Sequence, residues 1–171
     1  MVTSGSSYSQ DRTSPEKAFQ KLKHYCGYQE RSPAEARQKL YSLGLFKKDV
    51  EALISRLTEE EYLNEERFAL LFASGKSRIR GWSKQKIRYE LRQKGVTAFY
   101  INQALNALDE SVYAAGFDRL ARKKWDALRT EKNIFVRKNK WQQFLLQRGF
   151  EPSMIRSWSF PGEHETGTAA E

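Results

Sequence analysis

Apolar residues recur along this chain at intervals of three and four, the period of an amphipathic helix, and no run alternates over enough residues to argue for a strand. Ala18, Phe19, Leu22, Tyr25 and Cys26 form one such stripe, and Val50, Leu53, Ile54 and Leu57 form another. The pattern predicts an all-α protein of nine helices in three groups of three. Within it lies a longer register. Gly44, Gly95 and Gly149 each end a helix, with Leu40, Leu91 and Leu145 four positions before and Val50, Ile101 and Ile155 six after. Eight positions before each Gly stand Ala36, Ile87 and Trp141. A period near fifty residues marks one supersecondary unit used three times.

Helix boundaries are written in turn and cap residues. Ser14-Pro15 opens the first helix, with Pro at a position where its missing N–H does no harm. Ser32-Pro33-Ala34-Glu35 is a capping box. A third helix is predicted over about Lys48 to Leu57. Asn64 caps a helix carrying Phe68, Ala69, Leu71 and Phe72 and running into Lys76–Arg80; Gly81 breaks it and Ser83 restarts the chain. Thr97 precedes the stripe Ile101, Ala104, Leu105 and Leu108. The third group starts near Glu110 with Tyr113, Phe117, Leu120, Ala121 and Trp125, continues through Val136, Trp141, Phe144 and Leu145, and ends in a short helix from Pro152. The expected division is a disordered tail over 1–13, three-helix repeats over 14–58, 59–109 and 110–160, and a second disordered tail over 161–171. Units of 51 and 54 residues are marginal alone, burying only about 60% of their unfolded surface. They gain by stacking on neighbours, so the expected array is elongated and curved.

Charge adds a partner to this picture. The formal net charge is +9 and the pI about 9.7, which favours an anionic partner. Lys76, Arg78, Arg80, Lys84, Lys86, Arg88, Arg92 and Lys94 face Glu90 alone within 76–94. A second basic stretch over 119–140 holds Arg122, Lys123, Lys124, Arg137, Lys138 and Lys140, while 49–66 is acidic. Lys84, Arg88 and Arg92 recur every four residues, placing three cations on one helical face at a mutual cost of a few tenths of a kcal/mol per pair unless an anion binds. A solvated face, or ion pairing with the 49–66 block, would equally accommodate them. Trp125 and Trp141 fall on inner stripes and read as core, whereas Trp82 at the Gly81 break is open to either environment.

Catalytic chemistry finds no foothold. Cys26 is alone, so neither an internal disulfide nor a thiolate metal cluster can form. His24 and His164 are the only histidines, no Gly-rich phosphate loop occurs, and no cofactor is expected. No stretch reaches the ~20 apolar residues of a membrane span, and the first residues lack the apolar core of a secretory signal. A cytoplasmic, non-enzymatic binding protein is the expectation.

The stretches Tyr62-Leu63-Asn64-Glu65-Glu66-Arg67-Phe68-Ala69, Glu90-Leu91-Arg92-Gln93-Lys94-Gly95 and Phe144-Leu145-Leu146-Gln147-Arg148-Gly149-Phe150, with the residues from Tyr25 to Leu57, resemble the RecX family of recombination regulators. The likeness covers roughly residues 15–160. Ala36 stands where the family usually has Leu, and Glu61 where Gly is usual. The resemblance implies a tandem three-helix-repeat monomer that binds the RecA recombinase filament, inhibits its ATPase, strand exchange and growth, and so modulates recombination, DNA repair and the SOS response. The residues alone leave a second reading open, an independent DNA-binding helical module contacting phosphates. The candidate contact residues are Arg78, Arg80, Lys84, Lys86, Arg88, Arg92, Lys94, Arg122, Lys123, Lys124, Arg137, Lys138 and Lys140.

Overall fold

The computed structural model describes residues 13–161, and the tails expected over 1–13 and 161–171 lie outside them apart from Thr13 and Pro161. Nine helices and no strand occur among the described residues: α1 (Pro15–Tyr28), α2 (Pro33–Ser42), α3 (Lys47–Glu59), α4 (Glu65–Arg80), α5 (Lys84–Gln93), α6 (Ala98–Asn106), α7 (Glu110–Ala127), α8 (Ile134–Gln147) and α9 (Pro152–Arg156). The starts follow the sequence signals. Ser14 Oγ accepts the Lys17 N–H, Ser32 and Glu35 form both halves of the capping box, and Asn64 Oδ1 accepts the Arg67 N–H at 2.9 Å. Two further caps, Asp109 before α7 and Asn133 before α8, each accept two backbone N–H groups. Each such cap is worth about 1 kcal/mol.

The fifty-residue register governs the core. Ala36, Ile87 and Trp141, then Leu40, Leu91 and Leu145, then Val50, Ile101 and Ile155 are all at most 3% exposed. The helix ends repeat just as closely. Gly44, Gly95 and Gly149 have φ of +83°, +75° and +82°. The residue after each donates back to the buried leucine: Leu45 N–H to Leu40 O at 3.4 Å, Val96 N–H to Leu91 O at 3.1 Å, Phe150 N–H to Leu145 O at 3.2 Å. Each Gly donates to the residue three before it, which completes a Schellman closure. Glu61 also takes the left-handed region, at φ +59°, where the family resemblance would place Gly.

Two compact units divide the chain. The first comprises residues up to Leu71 with Glu90–Ala104; the second comprises Phe72–Tyr89 with the residues from Leu105 on. In the first, α1, α2 and α3 pack on one another around Phe19, Leu22, Leu40, Val50 and Leu57. In the second, α7, α8 and α9 enclose Phe117, Trp125, Trp141, Leu145 and Ile155. Trp141 donates its indole N–H to Ala121 O at 3.0 Å and stacks on Trp158 with centroids 4.7 Å apart, so its burial leaves no polar atom stranded. Not every apolar residue on these helices is buried: Leu71 is 61% exposed and Val136 39%.

One junction occurs in both units. In the first, the C-terminus of α5 meets the N-terminus of α2, with the Ala34 N–H donating to Lys94 O at 3.1 Å. In the second, the C-terminus of α8 meets the start of α5: Ser83 Oγ donates to Arg148 O at 2.7 Å and accepts the Lys86 N–H at 3.2 Å. Opposite partial charges of the two helix ends favour both joints.

These joints rank the glycines. Replacing either by Ala costs about 1–2 kcal/mol for the left-handed backbone. A Cβ on Gly95 would meet Ala34 N at 3.6 Å, an ordinary contact, whereas one on Gly149 would lie 3.0 Å from both Gln85 Cβ and Ser83 Oγ. Gly95→Ala should lower Tm by a few degrees, about 2–4 °C per kcal/mol for a chain of this size, and Gly149→Ala by more. Thermal unfolding followed by circular dichroism checks the order; equal losses would mean that the α8–α5 joint opens without cost.

Candidate partner-binding surface

Ser83 starts α5 as a cap, and from there the helix carries Lys84, Arg88 and Arg92 at successive turns, as the spacing predicts. Their environments are unequal. Lys84 Nζ lies 2.6 Å from Glu110 Oε1 and over the Tyr113 ring at 5.0 Å. The Lys84 N–H also donates to Tyr113 Oη, which in turn donates to Glu151 at 2.9 Å. Burial of this phenol raises its pKa, so it stays a neutral donor. Arg88 is half-buried and Arg92 exposed.

The basic stretches therefore have acids that the local sequence did not reveal. Lys94 pairs with Glu35 at 2.7 Å within the first unit, just as Lys84 pairs with Glu110 within the second. The acidic 49–66 block takes partners from its own unit: Glu51 with Arg37, Glu60 with Lys23 and Arg56, Glu61 with Arg67. Glu65 accepts the Thr97 N–H and Glu66 the Gln103 amide. Surface pairs of this kind contribute about 0–1 kcal/mol each, so they mute the cations without consuming them.

The remaining candidates separate by what their side chains touch. Arg78 and Arg80 are exposed in the last turn of α4, and Lys123 is exposed on α7. Arg122 pairs with Asp118 one turn away, and Lys140 with Glu131. Four others lie on aromatic rings: Lys86 over Trp82 at 4.5 Å, Lys124 over Phe144 at 4.7 Å, Lys138 over Phe160 at 4.6 Å and Arg137 over Trp125 at 3.8 Å. Arg137 also donates to Trp125 O at 2.7 Å, which makes it a brace between α7 and α8. Trp82 is half-buried, with Lys76 at 5.0 Å from its ring as well and Phe72 edge-on at 6.2 Å. Of the thirteen candidates the second unit holds all but Arg92 and Lys94.

Groups with catalytic potential are quiet. Burial pushes the Cys26 thiol up to about 11, so at neutral pH it is a small apolar core residue, and His24 is exposed. Among the described residues no group of His, Cys, Asp and Glu could hold a metal ion, and no helix is long and apolar enough to cross a membrane.

Comparison with known proteins gives a consistent family. Residues 64–105 match the model of the RecX second three-helix domain, and residues 117–158 that of the third. The regulatory protein RecX of Prosthecochloris aestuarii is 33% identical over 140 residues, 82% of this chain and 89% of that protein. The RecX of Escherichia coli strain SE11 is 35% identical over 102 residues, 60% of this chain and 59% of its own length. Against the RecX of Clostridium tetani the identity is 31% over 113 residues, and the chain spans about half, 51%, of that relative. Among solved structures, one of regulatory protein RecX superposes with a TM-score of 0.78 at 25% identity, covering 84% of this chain and 70% of the other. RecX from Lactobacillus salivarius superposes with a TM-score of 0.73 at 22% identity, covering 83% and 92%.

The Lys94–Glu35 contact gives a pH signature. Burial raises the Glu35 pKa, but the hydrogen bonds from Lys94 and the Ser32 backbone outweigh it and hold the carboxyl below its usual range. Stability from the charged form is therefore present above the unfolded value near ~4.3 and lost as pH falls through the lower folded value. Glu35→Gln should lower Tm at pH 7, and the deficit should be smaller at pH 3. A deficit of equal size at both pH values would show that the carboxylate charge contributes nothing to the joint.

Proposed function

The chain belongs to the RecX family of regulatory proteins, and on that premise we propose that it binds the RecA recombinase filament and inhibits its ATPase, strand exchange and growth. The observation that carries this reading is the family match along nearly the whole length of a regulatory relative. The surface supports it. Exposed Arg78, Arg80, Arg92 and Lys123 offer cationic heads on rigid helices, suited to DNA phosphates and to acidic protein groups alike. The reading takes residues 14–58, 59–109 and 110–160 as the three repeats. It needs neither cofactor nor catalytic group, and it has the protein act as a monomer in the cytoplasm, where the filament forms. One observation favours a second reading, a DNA-binding module acting alone: Arg78 and Arg80 end α4 as an exposed cationic pair.

Titrating the protein into DNA-dependent ATP hydrolysis by the recombinase separates the two. The regulator reading expects inhibition at protein levels well below the DNA concentration. Inhibition only at levels that coat the DNA would give the case to the DNA module. For that module, neutralising ~8 phosphates predicts a log–log salt slope near −7 on duplex DNA. Arg78→Glu with Arg80→Glu should make the slope shallower by about 2 while helix content is kept.

A further inference from the structure

The first turn of α8 breaks the ordinary rule of an amphipathic helix. Behind the Asn133 cap, Ile134, Phe135 and Val136 are 45%, 82% and 39% exposed, three large apolar side chains in succession. The corresponding first turns are polar or small in α2, Pro33-Ala34-Glu35, and in α5, Lys84-Gln85-Lys86. Val136 is also one wall of an open groove on the α7–α8 face, floored by Leu128 and Phe144 and rimmed by Lys124 and Lys140. Phe135 lies one helical turn before Asn139, another lining residue, and so shares that side of α8.

Three properties of the groove specify an occupant. Its apolar lining, Leu128, Val136 and Phe144, offers hydrocarbon contact, and the amides of Asn139, Gln143 and Gln147 beside it can hydrogen-bond a docked chain. Its charged lining is cationic, Lys124 and Lys140, and Arg129 and Lys132 are exposed in the connection between the two helices. The Lys140–Glu131 pair is mostly solvent-facing on the lysine side and exchangeable for an incoming carboxylate. Finally, the lining residues from Val136 to Gln147 run along three turns of α8, roughly 16 Å at 1.5 Å per residue, the length of three turns of a docked helix.

We infer that the α7–α8 groove docks an acidic, leucine-anchored helix of a protein partner, with Phe135 and Val136 gripping its apolar stripe and Lys124 and Lys140 its carboxylates. The identity of that partner as the recombinase rests on the function proposed above; the chemistry of the groove does not.

The test uses the full chain and a fluorescent sixteen-residue peptide with Leu at positions 3, 7, 10 and 14 and Glu elsewhere, followed by anisotropy. A second peptide has Lys in place of every Glu, and a third probe is a twenty-nucleotide oligo-dT. The acidic peptide should bind at least about tenfold tighter than the basic one, and Val136→Asp should weaken it by about tenfold or more. Phe135→Asp, at a more exposed site where folding is untouched, should do the same. Equal binding of the two peptides, unchanged binding in both variants, or oligo-dT binding that is lost in the variants while peptide binding is not, each overturns the inference. Recombinase ATPase inhibition is read in parallel. Inhibition by the unaltered chain without groove-dependent peptide binding removes the groove and leaves the regulator reading; peptide binding without inhibition does the reverse.

Discussion

A leucine carbonyl at the end of a helix, reached by the backbone N–H of the residue beyond a left-handed glycine, is the interaction on which the rest of this structure depends. It is made at Leu40, Leu91 and Leu145, always with the same donor offset and always with the leucine side chain fully buried. The backbone constraint and the packing constraint thus meet in one residue. The glycine stops the helix, the reversed chain brings Leu45, Val96 or Phe150 over the leucine, and the next helix leaves with Val50, Ile101 or Ile155 already facing inward. Truncating any of these buried leucines would remove about 2–5 kcal/mol, a large part of the stability of a chain this size.

The same glycine serves the tertiary structure a second time. The ends of α5 and α8 meet the starts of α2 and α5 in direct hydrogen bonds, through the Ala34 N–H in one case and the Ser83 hydroxyl in the other, and at Gly149 the approach leaves no room for a Cβ. A local device for ending a helix becomes the device for joining repeats. The charge pairs at the joints follow from this closeness. Lys94 reaches Glu35 because the two helix ends abut, and Lys84 reaches Glu110 because α7 starts beside α5 within the second unit.

Much of the fold was legible because it is written in residues whose effects are local. Ser14, Ser32 and Asn64 cap the helices that they precede, and the three glycines adopt the left-handed backbone that their position requires. The exposure of Leu71 and Val136 was not legible, because periodicity tells which residues share a face and nothing about whether that face is buried. The surface was read less completely. The cations over 76–94 and 119–140 do lie on helices, but the acids that take Lys84 and Lys94 stand 26 and 59 positions away, and no local pattern connects them. Arg137 likewise gives no sign in the sequence that its guanidinium is held by the Trp125 ring and carbonyl.

The sequence by itself determined the helices, their ends, the inner register and the family, since caps, glycines and apolar spacing act over a few residues. Only the tertiary structure decided which cations meet an acid or a ring, and that Phe135 and Val136 stand exposed, Val136 in the wall of a groove with Lys124 and Lys140. The reason is physical: burial and ion pairing depend on what lies across a gap, and the chain brings its distant segments to that gap only by folding.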